Sequence, residues 1–189
     1  MFDLNNQSYF IKKNYLIIAM LFSIFVVNAQ NETIENEKRN ELKTNVLLPL
    51  TGAFEITYER ILNEKSSLGV SAFTVFNNEK SHDDLNYSIS PYYRTYFGKK
   101  FASGFFAEGF GMLSSIDGKK IYDSKDNSIF TEGSDVIDFS LGLGFGGKWV
   151  KKSGFIFEVN AGYGKLLFNA DKTDHTIVAK FGFHLGYRF

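Results

Sequence analysis

Two short groups of residues carry the types that acid–base chemistry needs. His82-Asp83-Asp84 and Asp174-His175 each set an imidazole beside carboxylates, and a grouping drawn from two loops could activate a water for hydrolysis or hold a metal. Neither stretch is accompanied by a recognisable nucleophile or oxyanion partner, and solvated polar loop residues have the same composition. A third group, Gly142-Leu143-Gly144-Phe145-Gly146-Gly147, satisfies the G-x-G-x-x-G pattern. That pattern binds dinucleotides only where a strand turns into a helix N-terminus, because the phosphate sits on the first helical amides. Here it lies inside an alternating segment, so a strand without a nucleotide is expected.

The elements that position these residues follow from composition and period. The 189-residue chain has 21 Lys and Arg against 21 Asp and Glu, so no net field favours a nucleic acid or an acidic substrate. Aromatic residues make up 17 %, with 21 Phe and 10 Tyr, and 17 Gly stand against 2 Pro, a mixture that favours strands and tight turns. With no cysteine there is no thiol nucleophile and no thiolate metal site. No cofactor or metal is expected.

Residues 1–29 read as a cleaved secretory signal. Lys12 and Lys13 precede the apolar run Tyr15 to Val27, and Asn28-Ala29-Gln30 places a small residue at the cut. The run is shorter than the roughly 20 residues a spanning helix needs. Residues 30–42 form a polar lead-in, expected on the periplasmic side, and 43–189 a single β-domain.

In that domain the last segment has the cleanest alternation. Ile177, Ala179, Phe181, Phe183, Leu185, Tyr187 and Phe189 share one face, opposed by Val178, Lys180, Gly182, His184, Gly186 and Arg188. Asp138 to Trp149 and Phe155 to Leu167 repeat it, and earlier segments follow less strictly. The pattern predicts eight strands, near 43–49, 53–61, 67–77, 86–97, 103–114, 135–149, 154–168 and 175–189. Short connections alternate with longer polar ones at 78–85, 115–134 and 169–174, the asymmetry of a barrel with short periplasmic turns and longer outer loops.

The charged residues fall on the face opposite the aromatics: Glu55, Glu59, Arg94, Glu108, Asp138, Lys148, Glu158, Lys180 and Arg188. An eight-stranded interior is too narrow for the Phe set, so the charges are expected in the lumen, mutually paired, with the apolar face outward towards lipid. Phe97, Trp149, Phe155, Tyr187 and Phe189 then stand at strand ends by the short turns, as an interfacial aromatic girdle does.

Tyr58-Glu59-Arg60, Pro91-Tyr92-Tyr93-Arg94-Thr95-Tyr96-Phe97 and Gly186-Tyr187-Arg188-Phe189 give the chain its resemblance to the small eight-stranded outer-membrane barrels of the OmpA, OmpX and OmpW type, and to short barrels common in Bacteroidetes. The resemblance implies an all-β, antiparallel up-and-down transmembrane barrel in the outer membrane of a Gram-negative bacterium. It implies outer-membrane lipid as surroundings, and an assembly signal at Tyr187 and Phe189 read by the outer-membrane assembly machinery. The expected function is non-enzymatic: a plugged polar lumen, a structural role and display of loops to the outside. The alternative is a small outer-membrane hydrolase or lipid-modifying enzyme using His82, Asp83, Asp84, Asp174 and His175.

Overall fold

The computed structural model describes residues 38–77, 85–122 and 130–189. Ten strands follow one another: β1 (Asn40–Asn45), β2 (Ala53–Asn63), β3 (Ser66–Val75), β4 (Leu85–Tyr96), β5 (Gly104–Ile116), β6 (Lys120–Tyr122), β7 (Phe130–Glu132), β8 (Val136–Val150), β9 (Phe155–Leu166) and β10 (Ile177–Arg188). Eight of them close in the order β1-β10-β9-β8-β5-β4-β3-β2, every pair antiparallel, while β6 and β7 form a separate hairpin. This is the eight-stranded up-and-down barrel that the alternation predicts. Closure pairs Glu41 with Arg188 and Asn45 with His184, so the first and last strands leave no free edge along that stretch.

The barrel is inside out relative to a water-soluble one. Phe105, Leu143 and Phe145 are 73 %, 66 % and 69 % exposed on the outer face, whereas Glu59 and Lys148 are fully buried within. Period 2 does this directly, because successive side chains leave the pleat on opposite sides.

Two differences from the sequence reading have local causes. The first strand lies at Asn40–Asn45, not 43–49, because Pro49 cannot donate to a ladder and the chain instead makes a 3₁₀ turn over Leu48–Thr51. Gly52 ends that turn at φ 79°, a left-handed conformation that suits glycine, and its carbonyl accepts bonds from Phe76 and Asn77 at 2.9 and 3.1 Å. The stretch 115–134, expected to be a loop, carries the end of β5 and the β6–β7 hairpin.

The short connections share one end of the barrel and the long ones the other. At the short-turn end residues 97–103 fold beneath the wall: Ala102 is fully buried, its N–H donates to Glu64 O at 2.8 Å, and the Ser103 hydroxyl donates to Lys148 O at 2.9 Å. Ile61, Tyr96, Ala102 and Phe106 pack there into an apolar cluster.

Candidate functional site

Nearly every strand sends charge into the lumen, and the pairs join into one chain. Starting at the short-turn end, Arg188 of β10 meets Glu41 of β1 at 2.6 Å, and Glu41 meets Lys148 of β8 at 2.8 Å. Lys148 reaches Glu59 of β2 at 2.8 Å, and Glu59 holds Lys43 of β1 at 2.6 Å and Arg94 of β4 at 3.0 Å. Lys43 and Arg94 both contact Glu158 of β9, at 2.6 and 2.9 Å. Arg94 also donates to Glu108 of β5 at 2.7 Å, and Glu108 meets Lys180 at 3.4 Å. Of the eight barrel strands as described, only β3 contributes no charge; its Ser67 hydroxyl lies 3.3 Å from the Tyr96 hydroxyl.

Glu59 is the hub. Its Oε1 accepts from Lys148 and from the Tyr96 hydroxyl at 2.5 Å; its Oε2 accepts from Lys43, Arg94 and the Tyr92 hydroxyl at 2.9 Å. Five donors saturate the roughly four lone-pair sites of a carboxylate. The Arg94 guanidinium lies over the Tyr92 and Phe106 rings, 4.4 and 4.1 Å from their centroids, a cation–π arrangement that a desolvated arginine favours. At the floor, Arg188 donates to the Phe101 and Ala102 carbonyls at 3.1 and 2.7 Å, pinning the turn 97–103 under the network.

The glycine run of β8 is explained by register. Phe106, Glu108 and Phe110 of β5 stand directly opposite Gly146, Gly144 and Gly142. A Cβ at Gly142 would come within 2.3 Å of Phe110 Cζ, and one at Gly146 within 2.5 Å of Phe106 Cζ, so these rings lie flat against the neighbouring strand. The G-x-G-x-x-G match is thus a packing surface within a strand, with no helix following it.

The sequence-derived residues separate into three groups. Glu59, Arg94, Glu108, Lys148, Glu158, Lys180 and Arg188 meet in the network. Glu55 lies outside it, bonded instead by Thr57 at 3.3 Å and set 3.4 Å from His184 Nε2. His184 sits on the inner face, in register with Glu158 and Asn45. Asp138, grouped with the lumen charges by its face, does something else. Its carboxylate accepts backbone N–H bonds from Phe139, Phe168 and Asn169 at 2.6, 3.1 and 2.9 Å, tying the β9–β10 connection to the wall.

Glu41, in the stretch that reads as polar lead-in, and Lys43, the first residue of the expected strand 43–49, are both buried; the only sequence signal for their pairing is Leu42 between two charges. Phe97, Trp149, Phe155, Tyr187 and Phe189 are all exposed at the short-turn end, Trp149 stacking on Phe157 at 5.5 Å.

Above the network, towards the long-loop end, lies a cavity of about 550 Å³. Glu55, Asn45, Asn160 and Lys180 supply its polar side, Phe73, Met112, Ile116 and Val178 its apolar one. His175 lines it at the rim, its N–H donating to Thr173 Oγ1 at 3.3 Å. Asp174 turns to the β6 hairpin and accepts from the Lys120 N–H at 2.9 Å. His82, Asp83 and Asp84 lie outside the described residues.

Comparison with known proteins agrees with this architecture. A family model described as "Protein of unknown function (DUF3575)" matches residues 5–182. The chain belongs to the DUF3575 family. No functionally curated protein matches the sequence of this DUF3575 barrel. Among solved structures, the N-terminal β-barrel domain of Pseudomonas aeruginosa OprF is similar at a TM-score of 0.55, with 13 % identity, over 82 % of this chain and all of that one. Yersinia pestis outer membrane protein Ail, solved in a phospholipid bilayer nanodisc, gives a TM-score of 0.41 at 17 % identity over 81 % of this chain and all of that one. The likeness to OprF is one of fold: a closed eight-stranded barrel of the kind found in outer-membrane proteins.

Proposed function

We propose that the chain is a non-enzymatic integral outer-membrane protein of a Gram-negative bacterium, a rigid barrel that stabilises the membrane and displays its long-loop end outside. The observation that carries this reading is the inversion of the barrel: bulky apolar and aromatic side chains cover the outside while the ion pairs are buried within. So large a contiguous apolar surface is tolerated in lipid and not in water. Fold likeness to an outer-membrane barrel supports the same placement.

In this reading residues 1–29 direct export and are removed, and 30–42 lead into the wall. Tyr187 and Phe189 are read by the outer-membrane assembly machinery, and the aromatic girdle of Phe97, Trp149, Phe155, Tyr187 and Phe189 rests at the periplasmic interface. The lumen is plugged. Four network carboxylates and five cations cross it, and the floor turn 97–103 sits beneath them. An open pore needs water where these side chains pack, so ions do not pass.

Cell fractionation and semi-native gels test the proposal together. The mature protein is expected in the outer-membrane fraction, with a folded band that shifts on boiling. Recovery from the soluble periplasm, or a mobility that heat leaves unchanged, overturns it. Replacement of His175 and His82 by Ala is expected to leave the folded band and membrane fraction unaltered. A hydrolytic activity abolished by either change would favour the enzyme reading instead.

A further inference from the structure

β1 is half the length of the strand it closes against. β9 pairs with β10 from Ile177 to Tyr187, but β1 covers β10 only from His184 to Arg188, and one further backbone bond, Val46 N–H to Phe183 O at 2.9 Å, ends the ladder. Above it the Phe181 carbonyl is taken by the Asn45 side-chain amide at 3.1 Å, and the chain has already left for its 3₁₀ turn. Among the described residues the wall therefore has a notch between that turn and the upper part of β10.

The cavity above the network reaches this notch. Phe73, Met112 and Val178 line it from the inner face of the sheet, and Leu47, Ala179 and Phe181 from the exposed side. Ile177 to Phe181 line it in unbroken sequence, so the cavity runs along the part of β10 that β1 leaves unpaired. Its polar end is not neutral in its demands: Glu55 already has Thr57 and His184, whereas Lys180 makes one ion pair, at 3.4 Å. Lys43 and Lys148, by contrast, each have two carboxylates at 2.8 Å or less. An ammonium carries three donors, and Lys180, which lines the cavity, has Glu108 as its one carboxylate within 4 Å and otherwise lies over the Phe110 and Tyr92 rings, at 4.7 and 5.3 Å from their centroids.

We propose that the notch admits a single-chain anionic amphiphile, of the class of long-chain fatty acids, sideways from the bilayer. The acyl chain lies against Phe73, Met112 and Val178, and the carboxylate meets Lys180. The cavity volume, about 550 Å³, falls in the range of about 300–1,000 Å³ common to small-molecule sites. This inference rests on the outer-membrane reading and deepens it with a ligand.

Bromine quenching of tryptophan tests it on the full mature chain refolded in phosphatidylcholine vesicles. The single native tryptophan is removed as Trp149→Phe and a reporter placed in the cavity as Met112→Trp. Dibromostearic acid is expected to quench the reporter saturably, and phosphatidylcholine brominated at the same carbons to quench it weakly. Lys180→Gln should weaken the apparent affinity about tenfold, Lys180→Arg should retain it, and Val178→Phe, which fills the apolar end, should abolish it. Unsaturable quenching, equal quenching by the brominated phospholipid, or affinity unchanged in Lys180→Gln overturns the site. Flotation with the vesicles is read separately. Protein that fails to float refutes the membrane reading, whereas floating protein with unsaturable quenching refutes this inference alone.

Discussion

Neutralising the hub carboxylate as Glu59→Gln is the sharpest perturbation of the lumen. Glu59 is fully buried and accepts from Lys148 at 2.8 Å, Lys43 at 2.6 Å, Arg94 at 3.0 Å and both Tyr92 and Tyr96. Glutamine keeps the shape but offers one acceptor oxygen and an NH₂ that only donates. With Oε1 facing Lys148 and Oε2 facing Lys43 and Arg94, either amide orientation aims N–H groups at a cation. Each cation keeps another carboxylate: Glu41 for Lys148, Glu158 for Lys43, and Glu108 with Glu158 for Arg94. The loss therefore stays within the range of breaking one buried pair, about 3–5 kcal/mol. Urea unfolding from phospholipid vesicles, read by the mobility of unheated samples, measures it, provided the denaturant slope is unchanged. In the double variant Glu59→Gln with Lys148→Met, part of the loss, about 1–2 kcal/mol, should return as coupling between neighbours. A Glu59→Gln barrel within about 1 kcal/mol of wild type would refute the idea that the ion chain organises the lumen.

Other perturbations separate the outer face, the packing surface and the loop tie. Leu143→Arg places a charge on the exposed middle of β8 and should cost about 2–4 kcal/mol in vesicles; a cost near zero would speak against lipid at that face. Gly142→Ala sets a Cβ where Phe110 Cζ would lie 2.3 Å away, so overpacking of about 1–3 kcal/mol is expected in the same unfolding assay. Asp138→Ala removes the acceptor for the Phe168 and Asn169 N–H groups, and hydrogen exchange at those two amides should accelerate while exchange within β5 and β9 stays slow. In planar bilayers wild-type protein should carry no steady single-channel current; stable ohmic openings would contradict a plugged lumen.

What the sequence made legible follows from which interactions are local. Alternation is a property of one strand, so Ile177 to Phe189 and Asp138 to Trp149 declared both their element and their faces. β1 did not, because Leu42 is the lone large apolar residue between Glu41 and Lys43, and a six-residue stretch of that kind looks like a solvated leader. Pairing was less legible than facing. That Glu59 meets Lys148, 89 residues away, depends on how the sheet shears when β1 closes on β10, and no single strand encodes that offset. Asp138 shows the same limit from the other side: its face was evident, but its partners, Phe168 and Asn169, lie in a connection with no periodic pattern. The glycines of β8 became intelligible only once register set Phe106, Glu108 and Phe110 opposite them.

The central claim, an apolar face in lipid around an ionic lumen, is tested most directly by a spin-label scan along β8. The chain has no cysteine, so each label can be introduced singly from Phe139 to Phe145 in protein reconstituted in vesicles. Labels at Phe139, Leu141, Leu143 and Phe145 should collide freely with dissolved oxygen and be shielded from an aqueous nickel chelate, while a label at Ser140 should be shielded from both; Gly142 and Gly144, packed against Phe110 and Glu108, are left unlabelled. Nickel reaching the first set as readily as it reaches a soluble control, or an accessibility without the two-residue period, would contradict the account.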